Sequence, residues 1–249
     1  MRMTGLILAL ALAACAVPSI AKDHDDESQV NSACTGLPTA AELHTLLAAA
    51  PSTGGEAGGL FHGQNMWGAV VNRDGKICSF ATSTTDPTQV WPGSQAIAKA
   101  KAYTANAFSN DSLPLSTARL YTFVQPGHSL WSLGQSNPFN PQFLAPTGGQ
   151  GGGTNQIAGG LIFFGGGVPL YKNGHIIGGL GVSGDTSCTD HEIAKRVRTA
   201  AGLNPTAGAA ADDIKYSSVD GASVFTHPLC LMTFRNGVSI GTEAVSSGY

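Results

Sequence analysis

Residues 163–185 read FFGGGVPLYKNGHIIGGLGVSGD. Two apolar runs flank Asn173-Gly174, and an Asn-Gly pair in that setting marks a tight antiparallel hairpin, because a type I′ turn needs positive φ at both central positions. Gly179, Gly181 and Gly184 also spell G-x-G-x-x-G, the spacing of a dinucleotide-binding loop. That motif works only where a parallel strand leads through a tight turn straight into a helix. Here the strand is the return arm of a hairpin, and the next helical pattern starts at about Asp190. The stretch therefore reads as antiparallel sheet rather than as a nucleotide site.

Glycine within a strand costs stability but permits close approach by a ligand or another backbone. Gly165, Gly166 and Gly167 face Gly178 and Gly179 across the turn. Backbone stripped of side chains can accept a flat surface there. A bulge or a tightly packed helix would use the same glycines.

The hairpin grammar returns in residues 66–83, MWGAVVNRDGKICSFATS, around Asp74-Gly75, and more weakly in residues 229–240, LCLMTFRNGVSI, around Asn236-Gly237. Three such units predict an antiparallel sheet. Helices lie between them. Thr39 and Glu42 form a capping box for a helix to about Ala50. Ser94 can cap a second helix whose Ile97, Ala100, Thr104 and Phe108 recur on one side. Ser116–Val124 reads as a third. Thr189-Asp190-His191-Glu192 reads as a second capping box, opening a helix that stops at Gly202 with Ile193, Val197 and Ala200 as its buried stripe. His191, Lys195 and Arg198 then fall on its solvated side. Residues 136–160 form a long Gly/Asn/Pro loop.

The chain has 249 residues, 33 glycines, only 12% charged residues and a net charge of −3. No basic stripe is present, which argues against a nucleic-acid partner. Residues 1–21, MRMTGLILALALAACAVPSIA, carry Arg2, an apolar run from Leu6 to Val17, and the small residues Ser19 and Ala21 of a signal-peptidase site. They predict a removed signal peptide and an exported protein, periplasmic or secreted. Leu12-Ala13-Ala14-Cys15 also fits a lipoprotein box, which would anchor the chain through Cys15. Residues 22–38 read as a flexible tail and 39–249 as one domain. Cleavage leaves Cys34, Cys78, Cys188 and Cys230, which allow three disulfide pairings. The expected pairs are Cys34–Cys78 and Cys188–Cys230, one tying down each end.

FFGGGVPLYKNGHIIGGLGVSGDTSCTDHEIA resembles the signature of the GlcG/HbpS-like haem-binding family, whose G-x-[IVL]-G-V-S-G block falls here on residues 178–184. KAKAYTANAF is similar to that family's K-A-x-T-A helix, which places its lysine at Lys101 and its threonine at Thr104. NMWGAVVNRDGKICSF, WPGSQAIA, VQPGHSLW and QSNP match its exported members, so the resemblance spans about residues 34–200. It implies an α+β domain similar to PAS and profilin-like folds, with an antiparallel sheet of about five strands and helices packed on it. It further implies homo-oligomers, haem or a related tetrapyrrole as the small-molecule ligand in some members, and hydroxy- or keto-acid metabolism around others.

Haem needs an axial ligand, or an apolar slot with a cation for its propionates. His128, in QPGHSLW beside Trp131, is the first candidate ligand, and His62, in FHGQNMW, the second. Lys101 can pair a propionate, and Gly166, Gly167 and Gly179 with Thr104 can border the planar group. A rival reading is an enzyme, or substrate-handling subunit, for a small hydroxy- or keto-acid held by Lys101. His175 reads as exposed, His227 as structural, and Asp185 as an acceptor for turn N–H groups. Ser183 lies in G-V-S-G-D rather than in G-x-S-x-G, and H-E-x-x-H does not occur. Cleavage after Ala21 would create Lys22-Asp23-His24, in which His24 can close a square-planar nitrogen site for Cu(II) or Ni(II).

Overall fold

A computed structural model describes residues 33–140, 151–152 and 156–246. The elements of the central domain are α1 (Ala40–Ala49), β1 (Trp67–Asn72), β2 (Ile77–Thr82), α2 (Ser94–Ala107), β3 (Gly151–Gly152), β4 (Gly167–Lys172), β5 (His175–Ser183) and α3 (Ser187–Ala200). The strands form one antiparallel sheet in the order β3-β2-β1-β5-β4, with β3 a two-residue edge. The α+β class and the antiparallel sheet are as expected. The helical segment expected at Ser116–Val124 is instead two 3₁₀ turns, Thr117–Leu120 and Thr122–Val124.

Helices cover both faces of the sheet, which is why β1 and β2 are buried at every position. On one face Leu43 and Leu47 of α1 and Ile193, Ala194 and Val197 of α3 pack on Val70, Leu170, Leu180 and Val182. On the other, Ala98 and Ala102 of α2 meet Trp67, Ala69, Val71 and Phe80. Alternation along β5 sends Leu180 and Val182 to the first face and Gly179 and Gly181 to the second. A Cβ on Gly179 would lie 2.3 Å from the Ala102 carbonyl oxygen, and one on Gly181 would lie 2.0 Å from that of Ala98. The bare strand is therefore filled by an alanine-rich helix of the same chain. Gly178 serves a bulge: Leu170 pairs Gly178 while Tyr171 pairs Ile176, leaving Ile177 unpaired, and a Gly178 Cβ would strike the Val71 carbonyl at 2.0 Å.

The turns differ in ways the dipeptides alone do not announce. Asn173-Gly174 and Asn236-Gly237 both have positive φ at each residue, as type I′ requires, whereas at Asp74-Gly75 only Gly75 does. That first loop is wider, closed by Asn72 N–H donating to the Lys76 carbonyl. Thr39 and Glu42 form the expected capping box. Ser94 is the first residue of α2, after Gly93 as N-cap, rather than the cap. The cap of α3 is Thr186, whose Oγ1 accepts from Thr189 N–H, so the helix starts earlier than the Thr189 box implies, and Ala200 is exposed.

Both expected disulfides are present, Cys34–Cys78 and Cys188–Cys230. The first holds the end of the segment read as a tail, since Leu37 is buried in the core beside it. The expected signal peptide, Cys15 and His24 lie outside the described residues.

Residues 203–246 wrap the remaining side of α3. They carry β6 (Lys215–Tyr216) parallel to β7 (Thr226–His227), α4 (Ser217–Asp220), and a separate hairpin of β8 (Thr233–Arg235) and β9 (Val238–Gly241). The third hairpin thus forms its own small sheet instead of joining the main one. Arg198 makes a bidentate pair with Asp212 at 2.7 and 2.8 Å, and Lys195 reaches Asp213 at 3.0 Å and the Asn236 side chain at 2.8 Å. His191 Nε2 lies 3.3 Å from Asp213 Oδ1. The solvated face expected for His191, Lys195 and Arg198 is therefore buried, because an irregular segment supplies carboxylates to it.

Candidate functional site

Lys101 is fully buried, and its ammonium donates to Asp190 Oδ2 at 2.6 Å and to the Val182 carbonyl at 3.0 Å. Phe164 covers it, the ring centroid 5.0 Å from Nζ. Burial pulls the Lys101 ammonium down and pushes the Asp190 carboxyl up, and their mutual attraction opposes both shifts. Thr104 Oγ1 donates to the Ala100 carbonyl and accepts from Ile162 N–H. A Cβ on Gly166 would meet Lys101 Nζ at 2.6 Å, and one on Gly167 would meet the Lys101 carbonyl at 2.5 Å. The expected ligand site of Lys101, Thr104, Gly166, Gly167 and Gly179 is thus an internal joint between α2, the β4–β5 hairpin and α3. Its cation already holds a carboxylate of the same chain, which removes the physical basis for a substrate acid or a propionate there.

His128 is exposed on a turn, beside Trp131 at 54% exposure. Three concave sites, of about 680, 520 and 480 Å³, lie elsewhere, and neither His128 nor Lys101 lines them. The 520 Å³ site is formed by Pro51, Ser52, Gly55, Glu56, His62 and Gln64. His62 therefore lines an open concave surface, whereas His128 lines none of these three.

The loop carrying that site is held from below by the signature block. Asp185 accepts the Thr186 N–H of its own turn at 2.7 Å, as expected, and beyond that expectation accepts N–H bonds from Leu60 at 2.6 Å, Phe61 at 2.8 Å and Gly63 at 3.2 Å in a distant loop. Gly59 must stay bare because its Cβ would fall 2.2 Å from Asp185 Oδ1. Arg196 reaches up from α3 to the carbonyls of Ala50, Pro51, Gly54 and Glu56, while Glu192 takes its Nε–H at 3.1 Å. Phe61 stacks edge-on against Trp91 at 5.2 Å between centroids.

Upon this support His62 adopts φ +54°, a region unusual outside glycine and enriched for histidine among the exceptions. Its Nδ1 lies 3.1 Å from Glu56 Oε1. The same oxygen accepts the N–H groups of Ala57 and Gly58, and these bonds with His62 hold the Glu56 carboxyl below its usual range. An imidazole that donates Nδ1–H to a fixed carboxylate presents Nε2 as a lone pair, the arrangement found behind metal-ligating histidines. His175 has a similar partner in Asp111 at 2.8 Å but stands 75% exposed and lines none of these cavities.

An antiparallel sheet sheathed by helices on both faces, with a histidine-bearing loop pinned on the GVSGD turn, defines a compact α+β domain. Residues 39–199 match the family model described as haem degrading protein HbpS-like, and the chain belongs to that family. No curated protein matches the chain. Among solved structures it is similar to Klebsiella pneumoniae protein ORFY (22% identity, 66% of this chain and 88% of that one, TM-score 0.44). It is also similar to the PduOC:heme complex (23%, 74% and 98%, TM-score 0.43) and to HbpS (21%, 66% and 89%, TM-score 0.42).

The His62–Glu56 pair carries no sequence motif, being six residues apart across a glycine-rich loop. Only the glycines around it, Gly58, Gly59 and Gly63, all of positive φ, signalled a specially shaped backbone.

Proposed function

We propose that this chain is an exported haem-binding protein that takes haem on the loop of residues 51–64, with His62 as axial ligand. One observation carries the choice of site: among the described residues His62 combines a carboxylate on Nδ1 with a place in the wall of a concave surface. Membership of the HbpS-like family supports the choice of ligand. Haem iron, when bound, supplies a coordination position for imidazole nitrogen. The chain's own part is to fix the ring, direct Nε2 outward and keep the imidazole electron-rich through Glu56. Two disulfides favour an oxidising compartment.

The test is a titration with hemin followed in the Soret band. The proposal expects a shifted band with one hemin per chain, lost or weakened at least tenfold in His62→Ala and kept in His128→Ala. A wild-type protein without a Soret shift, or a loss confined to His128→Ala, would refute it.

A further inference from the structure

The second disulfide lies beside a histidine that the haem reading leaves unused. Cys188 stands in the first turn of α3, while His227 and Cys230 belong to the 203–246 wrap. One ligand atom of each lies within 4.8 Å of the other two, and all three residues are buried. His227-Pro228-Leu229-Cys230 has the short H-x-x-C spacing that suits two ligands of one ion. His227 Nδ1 lies 2.7 Å from the Pro228 carbonyl and so donates to it, which leaves the Nε2 lone pair facing inward. Nε2 accepts from Gly165 N–H at 3.3 Å, a bond that the ion would displace, and lies 3.5 Å from Ser187 Oγ. Cys230 Sγ already accepts from Cys188 N–H at 3.2 Å and lies 3.3 Å from Ser187 Oγ, so its surroundings provide hydrogen bonds for a thiolate.

We propose that Cys188, His227 and Cys230 form a zinc-type metal site that opens when this disulfide is reduced by a dithiol. A dithiol thiolate attacks Sγ of Cys230, the less deeply buried of the two residues. The S–S bond breaks and its electron pair leaves on Cys188 Sγ, in the first turn of a helix, where a thiolate is favoured. The second thiol of the reagent resolves the mixed disulfide, so the dithiol is oxidised to its own disulfide and two cysteine thiols are formed. A divalent ion of borderline softness then displaces two protons to solvent and takes two Sγ and one imidazole nitrogen. Water completes the tetrahedron. Such a site spaces its ligand atoms at roughly 3.5 Å, so the two sulfurs, which a disulfide holds at about 2.0 Å, part by about 1.5 Å as the ion enters. The consequence is structural: a covalent link between α3 and the wrap is exchanged for a coordinate one, and only the reduced, metal-free chain loses both.

The experiment uses the whole chain, Co²⁺ as optical probe and Zn²⁺ as competitor, without hemin. After reduction with dithiothreitol and its removal under argon, the proposal expects one Co²⁺ per chain with a thiolate-to-cobalt band and tetrahedral d–d bands. Zn²⁺ bleaches them, and the oxidised protein shows none. Cys188→Ser, which keeps Cys34 and Cys78, abolishes the thiolate band, and His227→Ala weakens binding at least tenfold. X-ray absorption at the zinc edge of reduced wild type, which needs no variant to fold, should show two sulfurs and a nitrogen. The absence of a thiolate band in reduced, folded wild type, or a zinc shell without sulfur, would overturn the site.

Discussion

Gly181→Ala tests the assignment of the strand glycines to packing. The added Cβ would lie 2.0 Å from the Ala98 carbonyl oxygen, 2.4 Å from Ala102 N and 2.9 Å from Lys101 Cβ. Two of these are helix backbone, so no rotamer change relieves them. Non-bonded heavy atoms sit best near ~3.5 Å, and a radial gap of about 0.5–1 Å already forfeits a quarter to a half of each contact. α2 must therefore retreat by about 1 Å or more along a face where Ala98, Ala102 and Ala105 are all fully buried. Overpacking costs about 1–3 kcal/mol, sometimes more, and a clash with backbone belongs at the upper end. At about 2–4 °C per kcal/mol for a chain of this size, ~3 kcal/mol lowers Tm by about 6–12 °C. Gly93→Ala is the control, because that residue has ordinary helical φ and nothing within 4 Å of its would-be Cβ. It should change stability by less than ~1 kcal/mol. Urea unfolding of both variants decides the matter. A Gly181→Ala protein as stable as wild type but unable to bind hemin would return these glycines to the ligand site.

Further outcomes follow from the same geometry. Replacing Glu56 by Ala removes the partner of His62 Nδ1 and should weaken hemin binding by about 10–100-fold with the fold intact, read by Soret titration and far-UV circular dichroism. Asp190→Asn leaves the Lys101 ammonium buried without its counter-charge and should cost about 3–5 kcal/mol by denaturant unfolding, whereas a packed Lys101→Met/Asp190→Leu pair recovers much of it. Burial would raise the Asp213 carboxyl, but His191 and Lys195 outweigh it and hold it below the usual carboxylate range. A lowered carboxyl stabilises the fold above its unfolded pKa of about 4 and loses that contribution as pH falls toward the folded value. Asp213→Asn should thus be less stable than wild type at neutral pH, with the difference shrinking below about pH 4. Opening Cys34–Cys78, which closes a separation of 44 residues, should cost about 4 kcal/mol by chain entropy and free the segment before α1.

The two long hairpins and the Thr39–Glu42 cap were legible because turn chemistry and capping act over two to four residues. The glycines of β5 announced a close approach, yet nothing local could say whether the visitor was a ligand or α2, since both demand a missing Cβ. The charges of α3 misled for a related reason. A helix with His191, Lys195 and Arg198 on one side normally shows that side to water, and the carboxylates that bury it, Asp212 and Asp213, come from an irregular segment without periodicity. Lys101 and Thr104 were rightly singled out as special positions, but they are joints of the core rather than ligands. His62 stood second to His128 as a candidate ligand, because the sequence does not show its backbone conformation or its Glu56 partner.

Hydrogen–deuterium exchange with and without hemin locates the ligand most directly. The account predicts new protection confined to peptides spanning residues 51–66 and little change in α2, β4 and β5. Protection centred on residues 124–132, or along the β4–β5 glycines, would contradict it.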